Sequence, residues 1–360
     1  MLKEKKYCIE YENVEEAYKR IGSIVHKTPI MTCSSLSEMS GCQNLFFKVE
    51  AMQRTGSFKF RGALNATLQK LEGNNKSNDD GGTPKSSMRV VTHSSGNHAA
   101  AVALAAKLAT STSTTDVTAT IVMPKNAPII KKTAVEGLGG HIVWAENTNE
   151  SREEMADEIL ASDETATFVH PSEDPLVIAG QGTASYEMIH QIRSTYENQE
   201  LDVVIIPVGG GGLASGNTIA LRGMLGKNVK IVLAEPAEMD DAHRSFYSQT
   251  LVGHDPTNEL KSVADGLKTT LGPNTWPIVR DLVDDIYTVT ERQILQATQL
   301  IWQRLKVCIE PSAGVGVAVA LYHSEFKSKY SSLKSNVGII LCGGNVDIYH
   351  ISQLMSQHGL

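Results

Sequence analysis

The stretch Val203-Val204-Ile205-Ile206-Pro207-Val208-Gly209-Gly210-Gly211-Gly212, "VVIIPVGGGG", changes character at one point. Its apolar, mostly β-branched first half suits a strand covered on both faces. Four glycines then strip every Cβ from the turn, and the following LASGNTIALRGML reads as a helix. Strand, glycine turn and helix form the repeating unit of a parallel α/β sheet. In such sheets ligands gather at the carboxyl ends of the strands.

The same order recurs along the chain. Arg89–Thr92 lead into HSSGNH and the helical AAAVALAAKLA. Thr120–Met123 end at Pro124, and His141–Trp144 make another short strand. Lys230–Ala234 end at Glu235-Pro236, and Val337–Leu341 end at Cys342-Gly343-Gly344-Asn345. An α/β fold with parallel sheets is expected, and 360 residues allow two ordinary domains or one large unit. Two polar tracts interrupt the pattern: Gly73–Ser87 (GNNKSNDDGGTPKSS) and Ala109–Asp116 (ATSTSTTD). Neither can bury much apolar surface, so both are expected as mobile surface loops, the first at a domain boundary.

Composition excludes several classes. With 41% hydrophobic and 20% charged residues the chain reads as soluble and globular. A net charge of -7 leaves no basic footprint for nucleic acid or an anionic membrane. Apolar runs are strand-sized, far short of the ~20 residues that cross a bilayer. The opening MLKEKKYCIEYENVEE has no apolar signal core, so a cytoplasmic location is expected. Five scattered cysteines (Cys8, Cys33, Cys42, Cys308, Cys342) without a CxxC pair argue against a disulfide framework or a zinc site.

Four segments carry candidate chemistry. Gly209–Gly212, at a helix start, suit an anion such as phosphate, and no GK[ST] follows to make a Walker loop. Gly209-x-Gly211-x-x-Ala214 also fits a dinucleotide fingerprint, with Glu235 as its acidic partner, so NAD stays open. Ser94-Ser95-Gly96-Asn97-His98 suits either a bound carboxylate or a helix N-cap. Glu235-Pro236-Ala237-Glu238-Met239-Asp240-Asp241 suits Mg²⁺ or Ca²⁺, or a solvated acidic loop. Lys59, in Thr55–Gly62 (TGSFKFRG), is either an edge-strand lysine facing water or a desolvated, reactive amine.

Taken together and in order, these motifs resemble the fold-type II pyridoxal-phosphate enzymes, the group of serine racemases and serine/threonine dehydratases. TGSFKFRGA resembles the lysine segment, SSGNH the substrate-carboxylate loop, and VGGGGLASG (208–216) the phosphate cup. HPSEDPLVIAGQGT (170–183), ADGLKTTLGPNTWPIVRDLVDDIYTVTE, IEPSAGVGVAVAL and LCGGNVD extend the likeness over residues 13–350, apart from the two polar tracts. TWPIVRDLVDDIYTV leans towards the racemases of the group.

The resemblance implies two domains, each a mainly parallel twisted sheet flanked by helices. Residues 1–72 and 173–360 would form the large domain, 88–172 the small one, and 73–87 an insertion. It implies that Lys59 binds pyridoxal 5'-phosphate covalently and, once freed, acts as base on one face of the substrate Cα, with Ser95 on the other. Phe58, Asn97, Gly209, Gly210, Gly211, Gly212, Leu213 and Cys342 would contact the cofactor. Ser94, Ser95, Asn97, His98 and Arg152 would bind the amino-acid substrate. Glu235, the Met239 carbonyl and Asp241 would hold Mg²⁺, Ca²⁺ or Mn²⁺. The implied activity is serine racemisation with β-elimination to pyruvate and ammonia; a dedicated serine, threonine or 3-hydroxyaspartate dehydratase is the alternative. A homodimer is implied. Ala99-Ala100, Arg54 and Leu138 depart from the nucleotide-binding pattern of animal members and leave an ATP effector open.

Overall fold

The computed structural model describes residues 6–76, 86–196, 199–254, 261–332 and 334–360. Among the described residues the strands are β1 (Ile30–Thr32), β2 (Asn44–Val49), β3 (Ser87–His93), β4 (Asp116–Pro124), β5 (Gly140–Ala145), β6 (Ala166–Phe168), β7 (Val203–Pro207), β8 (Lys230–Pro236), β9 (Asp285–Val289) and β10 (Asn336–Leu341). They form a six-stranded sheet, β1-β2-β10-β7-β8-β9, and a four-stranded sheet, β5-β4-β3-β6. Only the β1–β2 pair is antiparallel among the described strands. The α/β expectation therefore holds, with the two mainly parallel sheets that the resemblance implies.

Strand β10 enters between β2 and β7, so Val337 lies opposite Leu45 on one side and Val203 on the other. This insertion decides where chemistry can happen. The chain segments leaving β2, β7 and β10 emerge side by side, although these strands end at residues 49, 207 and 341. The helix Pro311–Tyr322 (PSAGVGVAVALY) is apolar on every face and buried from Pro311 to Leu321, as suits a core helix. A Cβ on Gly316 would come within 3.3 Å of Ile339 and 3.4 Å of Ile205. Pro311 occupies the first turn, where its missing N–H costs nothing.

Three expectations change. Lys59 is not in an edge strand; it opens the helix Lys59–Lys76. Residues two apart on a helix face nearly opposite ways. Phe60 is accordingly buried in the core around Val90 and Ile121, while Phe58, just before the helix, packs on the core of the six-stranded sheet. The first polar tract begins later than its composition suggests, because that helix runs through Lys76 and β3 starts at Ser87; residues 77–85 lie outside the described residues. Half of the Ser/Thr tract is helical too, since the helix Asn97–Thr112 leaves only 113–115 before β4. Its hydroxyls bond back to the backbone: Ser111 and Thr112 donate to the Leu108 carbonyl, and Thr110 donates to Val117 at 2.8 Å.

Candidate active site

A single cleft is lined by Lys59, the Ser94–His98 turn, Arg152, Gly209–Leu213, Glu310 and Cys342. It brings together every sequence-level cofactor and substrate residue. Lys59 reaches it from the segment after β2, Ser95 from the end of β3, the glycines from β7 and Cys342 from β10.

The lysine segment is clamped to the end of β10. Phe58 N–H donates to the Cys342 carbonyl at 3.0 Å, Gly344 N–H donates to Gly56 O at 2.9 Å, and Ser57 bridges Gly343. Lys59 as a residue is partly exposed because the cleft opens over it. Its amine is nonetheless surrounded by protein: Nζ donates to the Pro171 carbonyl at 2.9 Å and lies 5.2 Å from the Phe58 ring centroid. Burial lowers its pKa to about 8, against the pull of Cys342 and Glu310 in the other direction. That brings a useful fraction of the neutral amine within reach near neutral pH, and the neutral form is a nucleophile and a base.

The four glycines are needed for close approach. A Cβ on Gly209 would meet the Leu267 backbone at 2.9 Å, on Gly210 the Ser172 hydroxyl at 2.7 Å, and on Gly212 the Ser172 backbone at 3.0 Å. Gly211 has φ +81°, a left-handed conformation that suits glycine. The helix Gly212–Leu225 starts there, so unpaired N–H groups and the positive end of its dipole converge on the turn.

Opposite lies the start of the helix Asn97–Thr112. Asn97 Nδ2 donates to both carboxylate oxygens of Glu310, at 3.0 and 3.1 Å, and its Oδ1 accepts from Asn345 Nδ2 at 2.8 Å. His98 is buried with Nε2 3.1 Å from the Val169 carbonyl, and burial beside Lys59 holds it neutral, well below the usual imidazole pKa. Ser94 Oγ accepts the Gly96 N–H at 3.2 Å, so the turn is partly its own cap. Arg152 sits at the rim, its Nε donating to the Thr148 carbonyl at 3.2 Å.

This geometry agrees with comparison against known proteins. Residues 21–343 match the family model described as "Pyridoxal-phosphate dependent enzyme". The chain belongs to this family. It is 44% identical to a serine racemase of Rattus norvegicus over 348 residues, 96% of each chain. It superposes on the structure of maize serine racemase with TM-score 0.83 at 39% identity, covering 98% of both chains. A pyridoxal 5'-phosphate-dependent aspartate racemase of known structure is 34% identical, with TM-score 0.83, covering 96% of this chain and 98% of its own.

As a pyridoxal-phosphate enzyme, the chain fits its cofactor. The glycine turn, whose N–H groups converge at a helix start, suits the phosphate, and the low-pKa amine of Lys59 suits the aldehyde. Cys342 is 2% exposed, and burial next to Glu310 holds its thiol well above the usual value, so it stays protonated. Burial likewise pushes Glu310 up to about 7.

The acidic segment after β8 divides. Glu235 and Asp241 turn inward and are wholly buried, whereas Glu238 is exposed and Asp240 Oδ1 accepts from Arg244 at 2.7 Å. Glu235 accepts the N–H groups of Ala242 and His243 at 3.0 and 2.9 Å. Those bonds, and burial facing Asp241, leave no route to a ribose, so the dinucleotide reading falls. Asp241 Oδ2 accepts from Leu271 N at 3.1 Å, while Oδ1 has no hydrogen-bond partner; His254 Nδ1 stands 3.6 Å away. Burial and mutual repulsion raise Glu235 well above the carboxylate range, and burial raises Asp241 to about 6. Among the described residues no group of three or more His, Cys, Asp or Glu side chains is placed to hold a metal.

Glu310, Asn345 and Pro171 belong to the site and were not singled out from sequence. IEPSAG gives no sign that its glutamate enters the cleft, and LCGGN points to Cys342 rather than to Asn345.

Proposed function

We propose that the chain is a pyridoxal-phosphate dependent serine racemase, interconverting L- and D-serine and also eliminating the serine β-hydroxyl to give pyruvate and ammonia. The observation that carries this is the meeting of Lys59 and Ser95 in one cleft, each delivered by a different sheet. Two proton-bearing groups approaching from different sides are what inversion at a carbon requires. The similarity to proteins named serine racemase supports serine as substrate.

When bound, pyridoxal phosphate supplies an electron sink that stabilises negative charge at the substrate Cα. The chain's own residues do the rest. The neutral amine of Lys59 takes the Cα proton on one face, and the Ser95 hydroxyl delivers a proton to the other. In the reverse direction the two exchange roles. Ser94 and the free backbone N–H groups of Asn97 and His98 at the helix start hold the substrate carboxylate, with Arg152 at the rim, and the Asn97 side-chain amide would donate to the cofactor's ring oxygen. Gly209–Gly212 and Leu213 hold the phosphate, and Phe58 fixes the base of Lys59. Cys342 offers the ring nitrogen a weak donor, which favours proton exchange and elimination over transamination.

Glu235, Asp241 and the Met239 carbonyl hold Mg²⁺, or Ca²⁺ or Mn²⁺ in its place. Two facing buried carboxylates, one with an unpartnered oxygen, support a cation there. A homodimer and a cytoplasmic location complete the reading; no described helix is long and apolar enough to cross a membrane. A dedicated dehydratase is the second reading, and it rests on the cysteine at 342.

The test is the protein loaded with pyridoxal phosphate and incubated with L-serine, with enantiomers and pyruvate resolved and threonine, aspartate and 3-hydroxyaspartate run alongside. D-serine formation supports the racemase. Pyruvate without D-serine selects the dehydratase. No near-visible absorbance after loading overturns both.

A further inference from the structure

Asn97 stands on the four-stranded side of the cleft, and Glu310 and Asn345 stand on the six-stranded side. The Asn97 amide is fixed at both ends. Its oxygen accepts from Asn345 Nδ2 at 2.8 Å, and Asn345 Nδ2 also donates to the Thr55 carbonyl at 2.7 Å, next to the lysine segment. Its nitrogen faces the Glu310 carboxylate, at 3.0 and 3.1 Å from the two oxygens. One N–H shared between those oxygens leaves the second N–H of Asn97 for the cleft.

We propose that Glu310 is a positioning residue: it latches the small sheet's helix onto the large one through Asn97 and so aims the Asn97 amide at the cofactor's ring oxygen. The inference rests on the pyridoxal-phosphate reading above.

Glu310 is built for rigidity. It is 5% exposed, it precedes Pro311 at the start of the buried core helix, and its N–H donates to the Gly343 carbonyl at 3.0 Å. A Cβ on Gly343 would lie 2.5 Å from Glu310 Oε1, so the carboxylate is pressed against the turn after Cys342. A second crossing of the cleft, Lys131 Nζ to Asp265 Oδ2 at 3.1 Å, joins side chains that are 37% and 58% exposed. Screened pairs of that kind contribute little. A hydrogen bond to a buried carboxylate is worth considerably more.

The experiment is a double-mutant cycle on cofactor affinity, read by the absorbance of bound pyridoxal phosphate at pH 8, above the Glu310 value of about 7. Glu310→Ala is expected to weaken cofactor binding about 10-fold, a loss typical of one charge-assisted hydrogen bond. In the Asn97→Ala background the same substitution should have no further effect, because the residue it acts through is gone. Glu310→Gln keeps the volume and one acceptor oxygen, so it should recover most of the loss; Glu310→Met, which keeps the bulk without an acceptor, replaces Glu310→Ala in the cycle if that variant does not fold. In cofactor-free protein, hydrogen exchange at residues 97–100 should be faster in Glu310→Ala than in wild type. An undiminished loss in the Asn97→Ala background, or wild-type affinity in Glu310→Ala, would overturn the proposal. Failure of wild type to bind the cofactor would instead strike the reading beneath it.

Discussion

Phe58 N–H donates a 3.0 Å hydrogen bond to the carbonyl oxygen of Cys342. The residue before Lys59 is thereby fixed to the first residue of the turn after β10. One backbone bond sets the spacing between the Lys59 amine and the Cys342 thiol.

The depressed pKa of Lys59 makes cofactor capture depend on pH in a definite direction. Its amine is charged below about 8 and neutral above it. At fixed pyridoxal phosphate, the capture rate of cofactor-free protein should rise about tenfold per pH unit below that value and level off above it, since only the neutral amine attacks. Lys59→Ala should capture none. The same shift has a stability consequence. Between about 8 and the ordinary lysine value of 10.5 the unfolded chain holds the proton that the folded chain has lost. Stability from this group therefore increases as pH rises through that window, and Lys59→Met removes the increase. Stopped-flow absorbance and urea unfolding at stepped pH measure the two effects.

Ser95→Ala tests the two-sided proton transfer. The substitution removes one hydroxyl and leaves Lys59 and the glycine cradle in place. D-serine formation from L-serine should fall by about 100-fold or more, the usual weight of a general acid or base. Binding of pyridoxal phosphate should persist, with some pyruvate release from L-serine. Racemisation at the wild-type rate in this variant would refute the assignment of Ser95.

Glu235 and Asp241 give a prediction about cations. Without a cation, Asp241 holds its proton up to about 6, above the ordinary 3.8. The folded chain then binds more protons than the unfolded one, so this group's contribution is present at low pH and lost as pH rises through 6. Cation-free wild type should therefore lose melting temperature between pH 4 and 7 relative to Asp241→Asn. Mg²⁺ at about 100 times its Kd should return about 2.7 kcal/mol to wild type. Asp241→Asn should show little response to Mg²⁺ or chelator. Equal melting curves for the two proteins, with and without chelator, would remove the cation from the account.

Much of the fold was legible in sequence because its central strands are short apolar runs that stop at glycine, proline or polar turns. β3, β4, β5, β7, β8 and β10 were all readable on that signal. β2 and β9 were not, because NLFFKV carries a charged lysine and DIYTV an aspartate, both of which suggest a surface. β10 pairing between β2 and β7 was equally invisible, since register between distant strands leaves no local mark. The site divides the same way. Lys59, Ser95 and the glycines stand in compact motifs that are each open to a second reading alone and are decided by their order along the chain. Glu310 acts only because Asn97, 213 residues earlier, is folded against it. Ser/Thr tracts misled in the other direction, because hydroxyls that bond back to helix carbonyls look in sequence like loop residues.

Lys48, in that misleading strand, belongs to the last prediction. Its Nζ donates to Glu187 at 2.6 Å, Gln191 at 2.7 Å and the Thr28 carbonyl at 2.9 Å. Arg61, two residues past the reactive lysine, grips Glu50 with Nε at 2.7 Å and Nη2 at 2.8 Å, and reaches Glu187 at 2.9 Å. All four ionic side chains are at most 1% exposed, and their charges balance. Burial, with the charge of Arg61 beside it, lowers Lys48 to about 8, while its carboxylate neighbours pull the other way. Removing Glu187 leaves two buried cations sharing one carboxylate. Glu187→Ala should therefore destabilise the protein by about 3–5 kcal/mol, the range for breaking a buried ion pair from one side. Replacing Lys48 and Glu187 together, by Met and Leu, should cost much less, because no charge is left unpaired. Urea unfolding of the three proteins decides it: if the double replacement is as damaging as Glu187→Ala, the network works by shape rather than by charge.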